Sequence, residues 1–198
     1  MLLASLVTSL PAHSRDKEPE AGIGVFLQPL GTVLFGIDGG FYLPLGLQVP
    51  IDRQTEFVLE LSPLVGPIYG SGSTTRGGWL ATGVAWFNKH ANTRGAFVEA
   101  KLILRYFNTS GSRGSPNFDG ADYEVHAGLD AGYTFRTEQF ETSILFGLST
   151  GYCGNCFTGS PFYFGELGSL IDGDYTTPRH GHLSLGINLN VLRLGWRF

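Results

Sequence analysis

The sequence predicts an all-β fold: a closed, antiparallel, up-and-down barrel of about eight strands that crosses a membrane. Three observations carry this expectation. Apolar and polar residues alternate with period two over most of the chain after Gly22, aromatic residues gather at both ends of the alternating segments, and short connections alternate with long ones. Composition agrees, since only 15% of the 198 residues are charged while 29 are glycine, 15 phenylalanine, 8 tyrosine and 3 tryptophan, a β-rich profile. No uninterrupted apolar run approaches the roughly eighteen residues of a membrane-spanning helix. A closed barrel is therefore the one architecture with which this chain spans a bilayer. A net charge of −4 and a pI near 5.7 leave no basic surplus to neutralise phosphates, so nucleic acid is excluded as a partner.

In chain order, residues 1–14 read as a signal peptide: an apolar run over 1–10, then Pro11-Ala12-His13-Ser14, with Ala12 and Ser14 as the small residues of a cleavage site. The positive residues that ordinarily precede such a run are missing. The charged stretch 15–20 separates it from everything downstream, which favours an export signal over a helix packed on the domain. Residues 15–21 form a short linker and 22–198 a single barrel domain.

Within the barrel, segment 22–36 is interrupted by Pro29. Segment 41–51 sets Phe41, Leu43, Leu45, Leu47 and Val49 against Tyr42, Pro44, Gly46 and Gln48, and Phe57, Leu59 and Leu61 oppose Glu56, Val58 and Glu60. Segment 77–87 is apolar on both faces. In 95–107, Val98, Ala100, Leu102, Leu104 and Tyr106 face away from Glu99, Lys101 and Arg105. The cleanest alternation is 121–135, where Tyr123, Val125, Leu129, Tyr133 and Phe135 oppose Asp122, Glu124, His126, Asp130 and Thr134. Segment 139–152 repeats it, with Leu145 as an exception on the polar side. The last segment, 181–198, changes phase: Leu183, Leu185, Ile187 and Leu189 share one parity, whereas Leu192, Leu194, Trp196 and Phe198 share the other. A bulge near Asn190 restores one apolar face at the cost of one unpaired residue.

Alternation alone does not say which face meets the core. Aromatic placement does: Phe41, Tyr42, Trp79, Tyr106, Phe107, Tyr123 and Tyr152 fall at one end, and Phe57, Trp86, Phe87, Tyr133, Phe135, Phe140, Trp196 and Phe198 at the other. Two such girdles suit the two interfaces of a bilayer. Connections at 51–55, 88–94 and 136–138 are short, whereas 65–76, 108–120 and 153–180 are long; 37–40 breaks the order.

With the apolar face toward lipid, the lumen holds Glu60, Glu99, Lys101, Arg105, Glu124, His126, Asp130 and Glu141. If Tyr106 lies opposite Tyr123, Arg105 meets Glu124 and Lys101 lies diagonal to Asp130. The bland reading, an ion-pair core that specifies one register, outweighs catalysis, and a barrel of this size is filled by its own side chains. The surplus of carboxylates leaves room for a protonated acid, trapped water or a cation. Cys153 and Cys156, at the root of the longest connection, are expected to form a disulfide that closes a small ring. The aromatic triplet Phe162-Tyr163-Phe164 in that connection reads as folded onto the rim, with a contact surface for a partner as the alternative.

The ending Leu192-Arg193-Leu194-Gly195-Trp196-Arg197-Phe198, together with the alternating strands and the export signal, resembles the small outer-membrane barrels of Gram-negative bacteria over nearly the whole mature length. The resemblance implies localisation in the outer membrane, contact with its lipid, and a terminal strand, with Leu194, Trp196 and Phe198 at alternate positions, through which barrel-assembly machinery recognises the chain. It implies a non-enzymatic anchor that displays extracellular loops for adhesion, envelope integrity or ligand binding. Two alternatives stand beside it. His182-Leu183-Ser184 resembles the His-x-Ser element of outer-membrane lipid A deacylases, and a narrow solute channel needs a path past Arg105 and Glu124. His180 and His182 under-specify a metal site, and no motif implies a cofactor. A soluble lipocalin-like barrel is the inverted alternative, with Leu102, Leu104, Leu129 and Phe146 inside.

Overall fold

The computed structural model describes residues 22–30, 32–33, 40–68, 73–88, 95–111, 120–137, 139–157, 166–167, 178–188 and 192–198. Its strands are β1 (Gly24–Leu27), β2 (Phe41–Tyr42), β3 (Leu45–Pro50), β4 (Thr55–Ile68), β5 (Ser73–Phe87), β6 (Gly95–Gly111), β7 (Gly120–Arg136), β8 (Phe140–Phe157), β9 (Glu166–Leu167), β10 (Pro178–Asn188) and β11 (Arg193–Arg197). Every pairing is antiparallel. β2 and β3 are two pieces of one wall: both pair with β4 in a single register, interrupted at Leu43 and Pro44, where proline has no N–H to give a ladder. β10 and β11 likewise share β8. Because β11 also pairs with β1, the sheet closes on itself as an eight-stranded barrel. β9 adds two residues along β10. The signal and linker expected over 1–21, and the triplet Phe162-Tyr163-Phe164, lie outside the described residues.

The phase change in the last segment appears in the register. Asn188 pairs with Gly147 and Arg193 with Ser143, so five steps on the last wall match four on β8. One extra residue lies between them, as a β-bulge requires. The consequence is that Arg193 and Arg197 turn inward while Trp196 and Phe198 stay outside.

Ladder registers also set the barrel's shape. From Gly24 they lead through Gln48, Val58, Gly83, Lys101, Gly128 and Ser149 to Gly186, eleven residues short of Arg197, which pairs with Gly24 from the other side. One of the eleven is the bulge residue. A stagger of ten residues over eight strands tilts the strands about 40° from the axis. On the outer face of β7, Tyr123 and Tyr133 are ten residues apart, and at that tilt they are separated by about 25 Å along the axis, the height of a bilayer's apolar band.

The outer girdle residues Phe41, Tyr106, Tyr123 and Tyr152 at one end, and Phe57, Trp86, Tyr133, Phe135, Phe140, Trp196 and Phe198 at the other, are all exposed. Four aromatics expected in the girdles point inward instead. Tyr42, Phe87 and Phe107 are buried, and Trp79 packs beside Tyr42 and Phe107. Strand ends run further than composition suggests: β4 and β5 continue to Ile68 and from Ser73, β6 and β7 to Gly111 and from Gly120, so most of the long connection at 65–76 and the start of that at 108–120 are ladder. Gly, Ser and Pro at those positions read as loop because β-propensity is a statement about packing on a sheet, and the neighbouring strands supply that packing here.

At the short-turn end, the Gln54 amide donates to Asp52 Oδ1 at 2.7 Å, and this hydrogen bond holds the exposed Asp52 carboxyl below its ordinary range. Gly78 is needed for its backbone: its φ is +157°, and a Cβ there would sit 2.4 Å from the Ser62 carbonyl oxygen on β4. Gly78→Ala is expected to lower the unfolding free energy by about 1–3 kcal/mol, read as a lower urea midpoint of the protein refolded in detergent; an unchanged midpoint would mean that the strand bends freely there.

Candidate functional site: the barrel interior

Among the described residues, the inward face carries six buried carboxylates (Glu56, Glu60, Glu99, Glu124, Asp130 and Glu141) and five buried lysine and arginine side chains (Lys101, Arg105, Arg136, Arg193 and Arg197). They are arranged in tiers. At the short-turn end, Arg136 meets Glu56 through Nη1 at 3.1 Å and Nη2 at 2.8 Å, and its Nε donates to Glu141 at 2.7 Å. Arg197 bridges the same two carboxylates, with Nη2 at 2.6 Å from Glu56 and Nε at 3.2 Å from Glu141. Gln48 and Ser143 both donate to the other Glu141 oxygen. This quartet ties β4, β7, β8 and β11 across the floor of the barrel.

Above it, Phe26, Val58, Ala85, Phe87, Phe97 and Leu145 form an apolar layer. Leu145, the apolar exception on a polar face, belongs here. The ring of Phe87 also supports the Arg136 guanidinium at 4.7 Å. At mid-height Lys101 Nζ lies 2.7 Å from Asp130, and Arg193 Nη1 donates to Glu99 at 3.1 Å from the opposite wall. Glu60 accepts from Gln28 Nε2 at 2.8 Å, Ser62 Oγ at 3.0 Å and Trp79 Nε1 at 3.2 Å. Toward the long-loop end come the apolar group Tyr42, Leu64, Phe107 and Trp79, and Glu124, which receives Arg105 Nη1 at 2.9 Å and lies 2.7 Å from His126 Nε2.

Sequence-predicted lumen residues are thus all buried. Tyr106 does lie opposite Tyr123, which brings Arg105 to Glu124. Glu60 and Glu141 stand apart from these pairs, each in a different tier. Residues that sequence reasoning passed over are Glu56, Arg136, Arg193 and Arg197, together with Gln28 and Gln48. Glu56 shares the parity of Glu60, Arg136 was read as part of a turn, and the two terminal arginines depended on the bulge. Small residues make room: a Cβ at Gly147 would fall 1.9 Å from the Asp130 carboxylate, and one at Gly46 the same distance from the Phe26 ring.

Cys153 and Cys156 do not stand at a ring closure as expected. β8 continues through both, with Cys153 paired to Glu124 and His182, and Cys156 to Arg179. Three steps along an extended strand separate Cα atoms by roughly 10 Å, beyond the reach of about 7 Å that a disulfide allows. Their side chains, and those of His180, His182 and Ser184, lie outside the described residues. Among the described residues, no three His, Cys, Asp or Glu side chains group to hold a metal ion.

Compared with known proteins, the chain matches no protein-family model, no curated protein and no solved structure. Its reading therefore rests on its own geometry. That geometry is an eight-stranded barrel with an ionic, densely paired interior and an apolar exterior. Chemically, such an interior is suited to hold a wall register and to block passage, because its charges are spent on one another.

Proposed function

We propose that this protein is an integral outer-membrane barrel acting as a rigid, non-enzymatic anchor, whose outer face meets lipid and whose long connections make the external contacts. The observation that carries the proposal is the inversion of the two faces: leucine, valine, phenylalanine and tyrosine line the outside along whole strands, while arginine and glutamate fill the inside. A water-soluble barrel has the opposite requirement, because its apolar residues must leave water. Backbone satisfaction supports the same reading, since a closed ladder is the one sheet that lipid accepts.

The interior weighs against a solute channel. Side chains from opposite walls meet at the floor and at mid-height, in the Arg136–Glu56–Glu141–Arg197 quartet and the Arg193–Glu99 pair. The test is expression with an export signal, membrane fractionation, and gel migration of boiled against unboiled detergent extract. Outer-membrane recovery with heat-dependent migration is the expected result. Recovery as a detergent-free soluble protein would reject the lipid-facing reading.

A further inference from the structure

Among the described residues Arg193 is the most deeply buried cation of the interior, 1% exposed as a whole residue. One nitrogen, Nη1, donates to Glu99, and the guanidinium plane lies 4.1 Å from the centre of the Phe26 ring. Its Nε and Nη2 have no hydrogen-bond partner among the described residues. These two atoms form one edge of the planar fork, so their N–H groups point the same way. Burying such donors unpaired costs free energy that native interiors avoid.

An acceptor stands nearby on the next wall. Extending the β1–β11 ladder by one step beyond Leu27 and Leu194 sets Gln28 opposite Arg193. Gln28 is itself buried, and its Oε1 is also unpartnered. Its amide orientation is not ambiguous: Nε2 donates to Glu60, an acceptor when ionised, which leaves Oε1 as the free atom. Among the described residues, Glu60 in turn receives three neutral donors and no direct cation, and it is among the carboxylates whose field acts on Arg193.

We infer that Arg193 and Gln28 bind a buried water that accepts from the free guanidinium edge and donates to Gln28 Oε1, linking Arg193 through Gln28 to Glu60. The ligand must accept on one side and donate on the other, and water does both. Glu99 and Glu60 repel an anion from this fork, and the guanidinium repels a cation. Of the two guests a carboxylate surplus admits, a cation and a water, only the water fits. Arg193 then serves two carboxylates, Glu99 directly and Glu60 at a distance through the water and Gln28. This site belongs to the interior and is independent of what the outer face meets.

A crystal structure of the full chain in detergent, at a resolution that shows ordered water, tests the inference. Density within about 3.2 Å of Arg193 Nε or Nη2 and of Gln28 Oε1 is expected. A protein side chain in that position, or a dry fork, would overturn it; so would anomalous density there after a bromide soak, which would mark an anion site. A second reading uses urea midpoints: Arg193→Met should lower the midpoint less in a Glu60→Gln protein than in the native one. Equal shifts in both backgrounds would break the link between the two residues.

Discussion

Replacing Glu56 by alanine is expected to lower the unfolding free energy by about 3–5 kcal/mol, the range for removing one partner from a buried ionic group. Glu56 is fully buried and holds two arginines at once, Arg136 through both oxygens and Arg197 through one. Without it, two guanidiniums share Glu141 alone, and at least three of their N–H donors are left in a dry floor. Glu56→Gln keeps acceptor capacity and loses the charge, so its effect should be smaller. Replacing Glu56 and Arg136 together with apolar residues of similar volume should recover part of the loss, because the remaining Arg197–Glu141 pair is balanced. The measurement is urea unfolding in detergent followed by tryptophan fluorescence, with heat-dependent migration as the check on folding. A loss below about 1 kcal/mol would mean that the quartet behaves as a solvated surface pair.

Leu129→Arg carries the second large effect, and it reports on the other face of the same wall. Leu129 is 57% exposed on β7, midway between the exposed Tyr123 and Tyr133. If that position is at the bilayer midplane, an arginine there should cost about 2–4 kcal/mol in lipid vesicles. Ile51→Arg, at an exposed short turn, should cost at most about 1 kcal/mol, because charges near the interface are tolerated. A barrel with water outside predicts no such contrast: an exposed leucine replaced by arginine changes stability by about 0.5 kcal/mol or less in either direction. The pair of variants therefore separates lipid from water as the outer solvent by the difference between two sites on one protein, which cancels effects of the refolding conditions.

Both variants act on features with different visibility in the sequence. Leu129 sits in 121–135, where strict alternation reads directly as a two-faced strand, because side chains leave a strand on alternate sides whatever the neighbours do. Glu56 has the parity of Glu60, and the alternation places it inside, yet its partners come from β7 and β11, 80 and 141 residues away. Nothing local announces those distances. The girdle residues divide in the same way: Tyr106, Tyr123, Tyr133 and Trp196 follow the parity of an apolar face, whereas Tyr42, Trp79, Phe87 and Phe107 are aromatic at strand ends but have the inward parity. Aromatic count at a strand end does not distinguish a lipid anchor from a lumen filler.

The cysteines mark a limit of short motifs. Two cysteines three apart suggest a closed ring only if the chain turns between them, and pairing with β10 keeps that stretch of β8 extended. Turn propensity in Gly154 and Asn155 is weak against the hydrogen bonds of a neighbouring strand.

By itself, the sequence determined that the chain is all-β, that its strands are two-faced, that a barrel is the closed form they take, and that the last segment must contain a one-residue change of phase. Each of these follows from period-two alternation and from the need to pair every backbone group, which are local or nearly local constraints. Only the tertiary structure decided the stagger of ten residues, the floor built from Glu56, Arg136, Glu141 and Arg197, and the pairing of Arg193 with Glu99. Those depend on which rungs of eight strands come level when the sheet closes, a sum over every register around the barrel that no single segment encodes.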